Sequence, residues 1–172
     1  MKEFTADRKP LVVAPNAGRP LDFPGHAMKV LLDGGSTTGD VAFVELTVAP
    51  QSFGAPPHIH HDEDEYFYVL EGEVRILSEN QVFAAQAGTL AAMTRGHLHA
   101  FWNASNTPAR MLVAIAPGTF GGSFDDVVAQ LRKSGAKTAA EVTATIVQVA
   151  KSRNCEIYPD RVPDEAKPFL PS

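Results

Sequence analysis

Between Met28 and Ala116 the chain is a succession of short runs rich in Val, Leu, Phe and Tyr, with no helical period between them. The runs are Met28–Leu32, Val41–Val48, Tyr66–Leu70, Glu73–Leu77, Gln81–Ala85, Thr89–Met93, His97–Trp102 and Arg110–Ala116. Turn-forming residues separate them, at Gly34-Gly35, Gly54, Glu71-Gly72, Glu79-Asn80, Gly88, Gly96 and Asn106. Short strands at this spacing predict an all-β antiparallel sandwich or barrel. Val44, Leu46 and Val48 alternate with Glu45 and Thr47, the period-two pattern of a strand with one buried face.

The flanks read differently. Residues 1–25 are cut by Pro10, Pro15, Pro20 and Pro24, each of which forbids helix continuation, so an irregular arm is expected. Leu11–Ala14 is its best candidate for an edge strand. After Pro117-Gly118 the period turns helical. Phe124, Val127, Val128 and Leu131 fall at i, i+3, i+4 and i+7, behind a Ser123/Asp126 pair that resembles a capping box. Gly135 is placed to end that helix. Thr138 and Glu141 form a capping box proper, followed by Val142, Ile146 and Val149 on one face. The expected organisation is an N-terminal arm over 1–27, a barrel over 28–117, and C-terminal helices and tail over 118–172. The Pro-rich tail from Pro159 is expected to hug the surface or fray.

A chain of 172 residues is long enough for one domain with a core that needs no disulfide. The net charge of −5, with no Lys/Arg block, speaks against nucleic acid or a membrane surface as partner. One cysteine, Cys155, excludes an intramolecular disulfide and reads as an unreactive thiol. Met1 to Pro20 carries no apolar stretch of signal-peptide length, and the expected location is cytoplasmic.

The chemistry concentrates in the barrel segment. Five of the six histidines, His58, His60, His61, His97 and His99, lie between positions 58 and 99. On a strand, residues i and i+2 face the same way. His58 and His60 can therefore aim two imidazoles at one point, as can His97 and His99 from a second strand, and Glu65 adds a carboxylate. Such donors suit one divalent transition metal (Fe, Mn, Co, Ni, Cu or Zn) better than Ca or Mg. His26 and His61 read as ordinary polar residues, and Asp62, Glu63 and Asp64 as a solvated acidic loop. His97 either faces the cavity as a substrate-contacting group or caps the Gly96 turn. Phe67, Val69 and Phe101 share the parity of the candidate ligands; they read as core packing or, with His97, as a substrate pocket. Met111, Val113 and Ile115 belong to the interior, and Trp102, of opposite parity to His99, to the outside of the barrel.

The segment from His58-Ile59-His60 through Glu65 to Gly72 resembles the first motif of the cupin family. The segment from Gly88 through Gly96 and His99 to Asn103 resembles the second. Ser52 stands where the family usually has Gly, and Thr94 where it usually has Pro. The resemblance implies a double-stranded β-helix, or jelly roll, with His58, His60, Glu65 and His99 as metal ligands. The run from Pro56 to Glu73 is similar to bacterial single-domain cupins of the quercetinase-like kind, over about residues 28–135. That implies a metal-dependent dioxygenase acting on a small enolic, phenolic or flavonol-like substrate with O2, in which Glu65 serves as ligand and base. A homodimer is a further expectation. A metal-dependent isomerase or lyase remains open, as does a non-enzymatic small-molecule-binding cupin.

Overall fold

The computed structural model describes residues 10–170. Among the described residues there are eleven strands: β1 Arg19–Phe23, β2 His26–Leu32, β3 Ala42–Val48, β4 Ser52–His60, β5 Asp64–Glu71, β6 Glu73–Ser78, β7 Gln81–Gln86, β8 Leu90–Met93, β9 His99–Asn103, β10 Ala109–Ala116 and β11 Cys155–Ile157. They form two sheets, one in the order β1-β2-β3-β10-β5-β8 and the other β11-β4-β9-β6-β7, with antiparallel pairing throughout. The strand pattern predicts such an antiparallel β architecture, and the resemblance implies its jelly-roll form.

The alternation sorts side chains between the layers. Val44, Leu46, Phe67, Val69, Met111, Val113 and Ile115 point inward from the larger sheet and meet Val74, Ile76 and Phe101 of the smaller one in a single core. Burying each of these side chains is worth about 1.5–3 kcal/mol. Trp102 lies outside the barrel, as its parity predicts, yet it is fully buried. Val162 and Ala166 of the C-terminal tail cover it together with Leu77, Leu98 and Ala100. The tail is thus a structural layer on the outer face of the smaller sheet.

Two helices follow the barrel, α1 Gly122–Ser134 and α2 Ala139–Ser152. Gly135 is left-handed at the end of α1, and the Thr138/Glu141 capping box opens α2. Ser123 does not cap α1. The helix already starts at Gly122, continuous with a 3-10 turn over Gly118–Gly121, so Ser123 is a buried residue of its first turn.

Two further expectations change. Leu11–Ala14 forms no strand; the edge strand is β1, because the Pro24-Gly25 turn folds Arg19–Phe23 back onto β2. Pro20 is tolerated there because an edge strand leaves N–H groups unpaired. The sheet therefore begins at Arg19, while the first nine residues of the expected arm lie outside those described. β4 also appears where the pattern gives no run, through Gly54, read as a turn, and Pro56 and Pro57. Its pairing with β9 shifts register between Phe53 and Ala55 and again between Ala55 and His58. Gly54 is required there, since a Cβ at this position would stand 2.2 Å from the Phe101 ring. Among the described residues, no helix is long and apolar enough to cross a membrane.

Candidate metal centre

Three elements build the site. β4 supplies His58 and His60 on one face, and β9 supplies His99 directly opposite His58 in the ladder. The chain then leaves the smaller sheet through residues 61–63 and enters β5 of the facing sheet, whose second residue is Glu65. The three imidazoles thus come from one layer and the carboxylate from the other. Oε2 of Glu65 lies 3.9 Å from Nε2 of His58, 3.7 Å from Nε2 of His60 and 3.2 Å from Nε2 of His99. All four residues are buried, and their candidate ligand atoms lie within 4.8 Å of one another.

The fit to a metal can be judged from the donors themselves. Three nitrogens and one oxygen converge among buried side chains, where a charge left without a partner is costly. The second ring nitrogens point away and are held: Nδ1 of His58 is 2.7 Å from the Pro56 carbonyl, and Nδ1 of His99 is 3.1 Å from the His97 carbonyl. Main-chain acceptors at Nδ1 place the proton there and leave Nε2 free to ligate. The four residues therefore fit one divalent transition metal.

The electrostatics of the cluster are those of coupled groups. Burial, reinforced by the neighbouring His99, pushes the His58 imidazole down to about 4. Burial acts on His60 in the same direction, but Glu65 and Cys155 outweigh it and hold that imidazole up at about 10. Burial raises Glu65, yet the charge of His60 and the imidazoles gathered round it keep its carboxyl well below the usual range. Metal-free, the site therefore carries a proton on His60 against an ionised Glu65.

Other residues fall into place around this centre. Phe67 and Phe101 are buried beside it, with ring centroids 5.3 Å apart and that of Phe67 5.9 Å from His99. Val69 is buried two residues further along β5. His97 does not face the cavity. Gly96, at φ +80°, turns the chain before β9 begins, so strand parity does not extend back to His97. Its ring is exposed, with Nδ1 3.1 Å from Oγ1 of Thr94 and 3.2 Å from the Arg95 carbonyl. Thr94 thereby fastens the turn at the position where the family usually has Pro. His61 is exposed, as expected.

The acidic loop departs from expectation. Asp62 is exposed, and Asp64 is held by the Arg95 guanidinium at 3.0 Å, but Glu63 is only 4% exposed, with Oε2 3.5 Å from Nδ1 of His60. Two further residues escape a sequence reading. Phe120, in the 3-10 turn after the barrel, stands edge-on to His60 at 4.2 Å. Cys155 pairs with His60 across β11 and β4 and is buried. No local motif marks these contacts, because each joins segments distant in sequence.

Known proteins agree with this geometry. The pattern of the family described as Cupin domain matches residues 44–115, which contain all four candidate ligands. The tetracenomycin polyketide synthase protein TcmJ of Streptomyces glaucescens is 30% identical over 83 residues, covering 48% of this chain and 54% of the relative. The chain thus spans about half the length of that curated relative. A predicted oxalate decarboxylase from Thermotoga maritima superposes with a TM-score of 0.54 at 24% identity, over 61% of this chain and 97% of that one. A conserved protein with a double-stranded β-helix domain from Klebsiella pneumoniae gives 0.51 at 22% identity, over 64% and 91%. At such identities the structural likeness speaks for the fold alone. The Cupin domain pattern thus takes in the three histidines and the glutamate of the candidate centre, and the chain is similar to that family over residues 44–115.

Proposed function

We propose that the chain is a metal-dependent dioxygenase of the quercetinase-like kind, acting on a small enolic, phenolic or flavonol-like substrate. The observation that carries this reading is the convergence of three imidazole Nε2 atoms and one carboxylate oxygen in a buried site. His58, His60, Glu65 and His99 would hold the metal, which would offer its remaining positions to substrate and O2. When bound, the metal supplies a Lewis acid that favours the ionised form of a substrate hydroxyl. Phe67 and Phe101 give an apolar wall beside His99 that keeps water from the reacting carbon. Glu65, ionised in this setting, accepts the substrate proton.

The substrate class draws support from the similarity to a polyketide synthase protein. Polyketide chains carry alternating carbonyls that enolise readily and close to phenols, so a related site suits the same functional groups. The test is O2 uptake by the metal-loaded protein with flavonols, phenols and cyclic 1,3-diketones, with mass analysis of products made under 18O2. Incorporation of both labelled atoms, lost in His99→Ala, is expected. Turnover that proceeds equally without O2 overturns the dioxygenase reading and assigns the site to an isomerase or lyase.

A further inference from the structure

The three histidines of the site are not held alike. His58 and His99 each set Nδ1 against a main-chain carbonyl two residues earlier, 2.7 Å and 3.1 Å away. No such carbonyl serves His60. Its Nδ1 is buried without a hydrogen-bond partner, and so is Oε2 of Glu63, 3.5 Å away. Two of the four buried side-chain polar atoms without a partner among the described residues thus face one another.

We propose that Glu63 is the positioning residue of His60, its carboxylate accepting from Nδ1–H and so presenting Nε2 to the metal. The proposal rests on the metal-site reading above and deepens it. The geometry gives three supporting arguments. Nε2 of His60 already points to Glu65, so the Glu63 side of the ring is the side away from the donors. A carboxylate that is 4% exposed needs a partner to offset its desolvation, and His60 is the group within reach. Its backbone is also pinned on both sides: His61 N–H donates to the Asn154 carbonyl at 3.1 Å, and Asp64 is clamped by Arg95. The short turn from β4 to β5 therefore holds Glu63 behind the ligand whose main chain offers no acceptor.

A carboxylate behind the ring differs from a carbonyl in being charged. It makes His60 the most electron-rich of the three imidazoles and ties its orientation to one side chain. Partners of this type change metal affinity by about 10- to 100-fold when removed.

The experiment measures Zn2+ affinity by competition with a chromophoric chelator for wild type, Glu63→Leu and Glu63→Gln. It also records 15N spectra of the histidines in the Zn2+-loaded wild type. The expected result is about 10- to 100-fold weaker binding in the Leu variant, partial rescue by Gln, which keeps an acceptor, and a His60 ring protonated at Nδ1. Wild type that binds Zn2+ with His60 protonated at Nε2 overturns the proposal, as does undiminished affinity in both variants, and either leaves the metal site standing. Wild type that binds no Zn2+ overturns the metal site itself. Should the Leu variant not fold, the Gln variant and the wild-type spectra decide the matter.

Discussion

His58 and His99 face each other across the β4–β9 ladder with ring centroids 4.2 Å apart, and both aim Nε2 at the same oxygen of Glu65 on the opposite sheet. A direct cross-strand pair of imidazoles is the most crowded way to place two bases. Burial, reinforced by the neighbouring ring, keeps His58 neutral and ready to ligate.

That arrangement sets a pH dependence for the metal-free protein. His58 is pushed down to about 4, so between there and its unfolded value near 6.5 the unfolded chain binds more protons, and stability rises with pH. His60 is held up at about 10, so from about 6.5 upward the folded chain binds more protons, and stability falls as pH rises. The contribution of this pair to metal-free stability therefore peaks near pH 6.5. Urea midpoints across pH 4–10 measure it, and a midpoint still climbing at pH 9 contradicts it. The same charge state predicts that metal binding at pH 7.5 releases about one proton, from His60. Calorimetry in buffers of different ionisation enthalpy reads that number directly.

Gly54 and Phe101 make a second, purely steric test. A Cβ on Gly54 would overlap the Phe101 ring, and Phe101 packs on Phe67 beside the candidate ligands. Gly54→Ala is expected to cost about 1–3 kcal/mol through overpacking. The urea midpoint checks it, and an unchanged midpoint would show that the bulge relaxes freely.

Trp102 is the chain's one tryptophan and is fully buried beneath the tail. Ala166→Asp, which places a charge in that cluster, is expected to shift tryptophan emission to the red and to lower stability by about 1–3 kcal/mol. Metal affinity should not change, since the site lies on the other face of β9. Emission unaltered in the variant would mean that the tail does not seal this face.

The barrel was legible wherever one face of a strand is apolar and the other polar. β3 shows this in Val44, Leu46 and Val48 against Glu45 and Thr47, while in β5 and β10 parity with the site residues points Phe67, Val69, Met111, Val113 and Ile115 inward. β4 was hidden because its inward positions carry histidines and Gly54 rather than aliphatic residues, and because Pro56-Pro57 reads as a breaker. β1 was hidden by Pro20 and Pro24, which are tolerated only because the strand is an edge. Histidine spacing and the family motifs brought the four candidate ligands into view. Parity left His97 open between the cavity and the Gly96 turn, and it lies at the turn because it precedes its strand; charge misplaced Glu63, whose burial depends on the turn from β4 to β5. The covering of His60 by Phe120 and of Trp102 by the tail are tertiary contacts with no periodicity to announce them.

Elemental analysis of the purified protein beside His99→Ala tests the central claim most directly. The account predicts about one transition metal per wild-type chain and a large loss in the variant, because removing one imidazole leaves three donors. A wild-type protein that takes up no metal from solutions of Fe, Mn, Co, Ni, Cu or Zn would contradict it, and the convergence of His58, His60, Glu65 and His99 would then need another cause.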